Sequence, residues 1–310
     1  MRALVGGQTL PHPLACQSPH MPDTVSAPAK INISLHIVGR RADGFHDIES
    51  VFALVPGLAD GLEISPAAPG SGCRVEPQLP GCPPESNLVH RAWAAYAAAT
   101  GFAPNVLVHL TKRIPTGAGL GGGSSDAAAM LRWLQGKAGD AALDAQALNT
   151  LAAGIGADVP FFLLDGPALA EGIGERLTPL DLDLAGFTLV LALPQVHIST
   201  PWAYAAYDAH WGLKKHMPLG TDCLTSTTTA HKRRVSLSPV VARNDFEVVV
   251  FPACEALRVV KEQLLSLGAA CAVMSGSGAA LAALFRDDGL AHKAAEAVRL
   301  NGVPVHVEAL

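Results

Sequence analysis

Charge is scarce in this chain of 310 residues. Only 16% of them are Asp, Glu, Lys or Arg, against about 25% in an ordinary soluble protein. That excludes a disordered chain, which depends on charge and low hydrophobicity, and 49% hydrophobic residues leave ample surface for a core. A basic excess is missing too: 22 Lys and Arg against 27 Asp and Glu give a net charge of −5. That is the wrong balance for a protein that tracks a nucleic-acid backbone, so no nucleic-acid partner is expected. Six cysteines (Cys16, Cys73, Cys82, Cys223, Cys254, Cys271) form no C-x-x-C pair. They read as reduced thiols of a cytoplasmic protein rather than a disulfide frame or zinc site. The twelve histidines show no metal-ligand spacing, so no metal held by a protein cluster is expected. Gly268–Phe285 runs 18 residues without charge, near the roughly 17–25 that span a bilayer. Ser275-Gly276-Ser277-Gly278 interrupts it, however, and the stretch reads as a hairpin with no membrane partner. Met1–Pro22 carries four prolines and no apolar stretch of about 7–15 residues, so it lacks a secretory signal. It is read as a disordered extension, with Met21 an alternative start.

Order is expected from Ala29. Ile31, Ile33, Leu35 and Ile37 alternate with Lys30, Asn32, Ser34 and His36, the pattern of a strand with one aliphatic and one polar face. After a polar turn at 39–44, Ile48–Val55 reads as a second strand. Asn87 caps a helix over Leu88–Thr100 that Gly101 closes. A strand over Asn105–Leu110 leads into a glycine loop and a helix over Ser125–Gln135. Leu143–Ala153 is a further helix, Phe187–Leu193 a strand covered on both faces, and 196–238 a mixed segment. The basic stretch His231-Lys232-Arg233-Arg234 is read as a solvated loop. Helices over Phe251–Leu267 and Leu290–Leu300 flank the Ser-Gly hairpin. Strands and helices alternate without a repeated βαβ unit, so the fold class expected is α+β with two lobes and a cleft between them. The division expected is an extension over 1–24, an N-terminal ATP-binding and catalytic domain over 25–175, and a C-terminal domain over 176–310. The oligomeric state is left open.

The strongest chemical signal is the run Pro115, Thr116, Gly117, Ala118, Gly119, Leu120, Gly121, Gly122, Gly123, Ser124, Ser125. Five glycines in seven positions fall between a strand and a helix, where bare backbone N–H groups and a helix N-terminus suit a phosphate chain. No Gly-Lys-Ser/Thr follows, so this is not a Walker A loop, and protein-kinase signatures are absent. Gly117-x-Gly119-x-x-Gly122 matches a dinucleotide fingerprint by letter, but Asp140 and Asp144 fall in a turn and a helix instead of at the end of a second strand. A dinucleotide-dependent oxidoreductase is therefore the rival from another class.

Pro-x-x-x-Gly-Leu-Gly-Gly-Gly-Ser-Ser resembles the ATP loop of the galactokinase–homoserine kinase–mevalonate kinase–phosphomevalonate kinase superfamily. Ala27-Pro28-Ala29-Lys30-Ile31-Asn32 with Arg41-x-Asp43-Gly44-Phe45-His46, and the third motif Met274-Ser275-Gly276-Ser277-Gly278, agree in order and spacing. Gly156-Ala157-Asp158-Val159-Pro160 and Asn244-Asp245 narrow the likeness to its kinases of CDP-linked alcohols. The resemblance spans about residues 27–300. It implies ATP-dependent phosphorylation of the 2-hydroxyl of a CDP-linked methylerythritol, a step of non-mevalonate isoprenoid-precursor synthesis, with Mg²⁺ accompanying the ATP. It also implies Asp158 as base, Lys30 as catalytic lysine, Asn32, Phe45, His46 and Tyr204 at the substrate, and Ser275, Gly276, Ser277 and Gly278 near the phosphates. Family members usually carry Tyr where Phe45 stands; the ring is kept and a hydroxyl contact is lost. Plainer readings accompany each residue: Asp158 as the N-cap of a short helix, Lys30 as an ordinary polar strand residue, Phe45 and Tyr204 as packing aromatics. Asp126 reads as a first-turn acid favouring the helix dipole, and Ser124 or Ser125 as a Mg²⁺ ligand or a helix cap.

Overall fold

The computed structural model describes residues 21–78, 81–211 and 242–310, and by backbone alone 227–229 and 232–235. In chain order it contains β1 (Asp23–Arg40), β2 (His46–Pro66), β3 (Cys73–Glu76), α1 (Leu88–Thr100), β4 (Val106–Thr111), α2 (Gly122–Lys137), α3 (Ala145–Ile155), β5 (Ala168–Gly172), β6 (Arg176–Leu182) and β7 (Thr188–Ala192). There follow α4 (Thr200–Trp211), β8 (Thr227–Thr229), β9 (Lys232–Val235), α5 (Glu247–Ala253), α6 (Glu255–Ser266), β10 (Cys271–Met274), β11 (Leu281–Phe285), α7 (Asp288–Leu300) and β12 (Val305–Ala309).

Two sheets organise the molecule. One has eight strands in the order β3-β4-β2-β5-β6-β9-β8, with β1 paired along β2; the other is antiparallel, β10-β11-β7-β12. The α+β expectation holds. Alternation along β2 divides its side chains between two cores: Phe52, Leu62 and Ile64 pack with α1, α2 and α3, while Val51, Ala53 and Val55 pack against the second sheet. Along β7, Leu189 and Leu191 meet that same middle core, whereas Val190 and Ala192 face α6 and α7. The result is four layers, helices, sheet, sheet, helices, and β7 is covered on both faces as its apolar run predicts.

Strand β1 departs from strict alternation. Its pairing with β2 shifts register at Pro28/Ala29, Asn32/Ser34 and Ile37/Gly39, and each bulge re-aims the side chains beyond it. Ile31 and Ile33 therefore enter the middle core while Leu35 and Ile37 enter the outer core of the second sheet. The polar face is not solvated: Lys30, Asn32 and Ser34 are each under 5% exposed. Order also begins earlier than Ala29. Asp23 pairs with Ile64, accepts from Trp133 Nε1 at 2.9 Å and meets Lys137 at 2.9 Å, so 23 and 24 belong to the sheet and not to an extension. Polar Asp23, Thr24 and Ser26 conceal the strand in the sequence. Residues 1–20 lie outside the described residues.

A division at 175/176 would cut the β5–β6 hairpin, where Glu171 pairs with Arg176; the chain changes sheet only after Leu182. The basic stretch is corrected likewise. Lys232–Val235 is strand β9, parallel to β6, and its pairing with a distant strand left no local signal. Helix α1 is as capped in sequence: Asn87 Oδ1 accepts from Val89 N–H at 2.9 Å, and Gly101 sits left-handed at φ 74°. Such a cap contributes about 1 kcal/mol. No helix among the described residues is long and apolar enough to cross a membrane, and the Ser-Gly segment joins β10 to β11 as a hairpin.

Candidate active site

Two cavities share the glycine loop as a wall. The smaller, about 350 Å³, is lined by Pro115 through Ser124 together with Asn87, Lys112 and Asp126. The larger, about 630 Å³, is lined on one side by Lys30, Asn32, Phe45 and His46, and on the other by Asp158, Tyr204, Gly276 and Ser277. Gly119 and Gly121 line both. Every expected catalytic and substrate-binding residue thus meets at one cleft, though they span 174 positions of sequence from Lys30 to Tyr204.

Backbone contacts hold the loop between the sheets. Lys30 N–H donates to Leu120 O at 3.0 Å and Ala280 N–H to Ala118 O at 3.1 Å. Ser275 Oγ donates to Gly119 O at 2.9 Å. Glycine is required at 119: its φ is +79°, and a Cβ there would fall 2.0 Å from Ser275 O. The third motif is fixed in turn by Asn244, whose Nδ2 donates at 2.7 Å to both Met274 O and Gly276 O. Ser277 shares a 2.7 Å hydrogen bond with Thr200. Of the motif, Gly276 and Ser277 line the larger cavity, while Ser275 and Gly278 line neither.

Lys30 is the buried centre of the cleft. Its Nζ donates to Asn32 Oδ1 at 2.7 Å, stands 3.6 Å from Asp158 Oδ2 and lies 4.5 Å from the centre of the Phe52 ring, a cation–π contact. The plain strand-residue reading fails for it. Asp158 comes from the turn between α3 and a 3-10 turn at Pro160–Leu163, whose cap position is Val159 and whose start has no side-chain cap. The capping reading of Asp158 is therefore not what the structure shows, and its side chain is 31% exposed to the cleft side. Asn32 is more engaged than a free substrate ligand. Its Oδ1 also accepts from Gly276 N–H at 2.9 Å and its Nδ2 donates to Ser50 Oγ at 2.8 Å, so it ties two strands and the β10–β11 turn around the lysine.

The other end of the larger cavity is aromatic. His46 and Tyr204 stack with centroids 4.5 Å apart and planes at 17°, and Phe246 stands nearly perpendicular to Tyr204 at 4.8 Å. Burial, with the charge of Asp158 adding to it, pushes the Tyr204 hydroxyl up to about 12, so it stays protonated. Phe45 is 59% exposed and is the ring free to cover a ligand. Sequence reasoning missed Asp208 and Arg40 here. Asp208 Oδ1 lies 2.7 Å from His46 Nε2 and Oδ2 lies 3.4 Å from Arg40.

Under the smaller cavity lies another unforeseen group. Lys112 Nζ meets Asp126 Oδ2 at 2.7 Å and also Asp60, whose Oδ1 accepts from the Arg113 and Ile114 N–H groups. Two carboxylates thus share one lysine. Burial pulls the Lys112 ammonium down, but the carboxylates outweigh it and hold it above its ordinary value. Burial raises Asp126 to about 7 against the opposing pull of Lys112. The dipole reading of Asp126 is replaced by this buried cluster; Asp60 and Asp126 are too far apart in sequence to suggest it. Ser124 and Ser125 lie inside α2, whose start has no side-chain cap. Ser125 Oγ is buried without a partner, and only Ser124 of the two lines the cavity.

Residues 87–166 match the family model described as GHMP kinases N terminal domain, and 232–303 that described as GHMP kinases C terminal. The chain is 48% identical, over 84% of its length and 87% of the relative's, to a 4-diphosphocytidyl-2-C-methyl-D-erythritol kinase of Solidesulfovibrio magneticus. It is 44% identical, over 91% of its length and 97% of the relative's, to one of Nitratidesulfovibrio vulgaris. A crystal structure of 4-(cytidine 5'-diphospho)-2C-methyl-D-erythritol kinase superposes with TM-score 0.73 at 36% identity, covering 92% of this chain and 98% of that one.

Proposed function

The chain belongs to the 4-diphosphocytidyl-2-C-methyl-D-erythritol kinases within the GHMP kinases, and from that premise we propose how its cleft performs the transfer. The protein is an ATP-dependent small-molecule kinase that phosphorylates the 2-hydroxyl of its CDP-linked alcohol. The observation that carries the division of labour is the shared wall: Gly119 and Gly121 border both cavities, so a nucleotide in the smaller and an alcohol in the larger meet across bare backbone.

Phosphoryl transfer needs positioning, charge stabilisation and a group to receive the hydroxyl proton. The N–H groups of Gly117 through Ser124 and the N-terminus of α2 hold the phosphates. Asp158 receives the proton of the attacking hydroxyl, and Lys30 stabilises the negative charge that develops on the oxygen. Asn32, Gly276 and Ser275 fix Lys30 and the loop in relation to one another. At the far end Phe45 covers the base and His46 reads its edge, with Tyr204 supporting the imidazole.

Mg²⁺ fits the smaller cavity, which offers the Ser124 hydroxyl and the unpartnered Oδ1 of Asp126. When bound with ATP it would neutralise charge on the phosphate oxygens. Ser125, sealed from the cavity, is the weaker candidate. We place the protein in the cytoplasm with a small-molecule partner only.

A coupled assay of ADP release tests the function. With the CDP-linked alcohol, turnover should be stimulated over ATP alone; stimulation by homoserine or mevalonate instead would overturn the substrate. Thermal shifts with ATP, CDP and NAD separate the oxidoreductase rival, since ligand at 100 times its dissociation constant adds about 2.7 kcal/mol.

A further inference from the structure

Asp208 takes no part in the transfer step, yet it lines the larger cavity and is held there on two sides. One carboxylate oxygen meets His46 Nε2 at 2.7 Å; the other lies 3.4 Å from the Arg40 guanidinium. Tyr204, one helical turn earlier on α4, stacks on the same imidazole. Residues four apart share a helix face, so a single face of α4 grips His46 by its plane and by its edge. The His46 side chain is 5% exposed, and the grip decides how its ring is presented.

We propose that Asp208 is a positioning residue that sets the tautomer of His46 and so makes the cleft accept cytosine and reject uracil. The inference rests on the reading of the larger cavity as the site of a CDP-linked substrate. A carboxylate offers acceptors only, so the ring nitrogen facing it carries the proton. In the neutral ring Nδ1 then has a lone pair and no hydrogen, and among the described residues it has no hydrogen-bond partner. That lone pair accepts from the exocyclic amino group of cytosine. Uracil presents O4 at the same edge, an acceptor against an acceptor. Without Asp208 the proton is free to move to Nδ1, where it donates to O4 and opposes the amino group.

The test uses the whole protein as wild type, Asp208→Ala and the isosteric Asp208→Asn, which keeps the fold if the alanine variant does not. ¹⁵N resonances of the His46 ring report its tautomer, calorimetry gives the dissociation constants of CDP and UDP, and turnover is compared for the CDP- and UDP-linked alcohols. In the wild type Nε2 should carry the only proton, and CDP should bind about 10- to 100-fold tighter than UDP. Both variants should populate the Nδ1–H form and narrow that ratio about tenfold. KM for the CDP-linked alcohol should rise with little change in kcat or in KM for ATP. A doubly protonated ring or an Nδ1–H tautomer in the wild type overturns the inference. So does a variant that weakens CDP and UDP equally, because Asp208 would then only prop the ring. If the wild type binds neither nucleotide, base selection falls together with the substrate reading. An unchanged preference for CDP in the variants sinks the inference alone.

Discussion

Lys30 Nζ stands 3.6 Å from Asp158 Oδ2, with the lysine side chain 4% exposed and the carboxylate 31%. The asymmetry matters: the cation is buried and fixed by Asn32, while the carboxylate is open to a substrate. Asp158→Asn keeps the size and removes the proton acceptor. Because Asp158 caps no helix, the fold should be little affected. We expect kcat to drop about 10²–10⁴-fold, with the thermal shift by ATP retained. Near-normal turnover would remove Asp158 from the chemistry.

Gly119→Ala tests the wall between the cavities. The new methyl group meets Ser275 O, and the φ of +79° is disfavoured for any residue with a Cβ. Left-handed strain alone costs about 1–2 kcal/mol, and the clash adds to it. A fall in melting temperature and a loss of the ATP-induced shift are expected together, by thermal denaturation with and without nucleotide. Gly136→Ala, near the C-terminal end of α2 with open space around it, is the control: it should keep the ATP-induced shift and not lower the melting temperature, since alanine favours a helix over glycine.

The Asp126 cluster predicts a pH dependence of stability. Folded, this carboxyl keeps its proton to about pH 7; unfolded, it loses it near pH 4. The native state therefore binds the extra proton across that window, and stability falls as pH rises through it. Asp126→Asn cannot ionise, and it leaves Lys112 a one-to-one pair with Asp60. The variant should gain on the wild type from pH 5 to pH 8, by on the order of 2–4 kcal/mol. Chemical denaturation at the two pH values measures it, and a variant that loses ground at pH 8 would show the ionised Asp126–Lys112 pair to be the stabilising form.

Phe45→Ala and Tyr204→Ala should separate binding from packing. Base–aromatic stacking contributes about 1–3 kcal/mol per ring. Phe45 is largely exposed, so its loss should raise KM for the CDP-linked alcohol without moving the melting temperature. Tyr204 also supports His46 and Phe246, so its loss should lower both stability and kcat/KM. Unchanged KM in Phe45→Ala would leave the base uncovered by that ring.

Much of this was readable locally. Caps marked α1, glycine density marked the loop, and motif order brought Lys30, Asp158, His46 and Tyr204 to one cleft. What escaped was whatever depends on distant partners. Strand β2 runs on past Val55: β1 leaves Pro56 and Gly57 in a bulge and pairs again from Ala59, and β4 joins on the other side from Gly61, and no local pattern spans such breakers. Lys112, Asp60 and Asp126 look like surface charges until the sheet and α2 seal them in. Asp208 sits in an alanine-rich helix with nothing beside it to suggest a histidine 162 positions away.

The bond from Ser275 to Gly119 joins residues 156 positions apart, and synthesis on the ribosome gives that separation a direction. The glycine loop and Lys30 leave the exit tunnel long before the third motif exists. At roughly 5–20 residues per second the interval lasts on the order of 10–30 s. Until its end Ile31 and Ile33 lack much of their cover, since β7 is made only midway and β10 and β11 last of all. A nascent chain stalled before residue 271 would expose this aliphatic stripe, the surface that chaperones capture, and would hold no finished cleft.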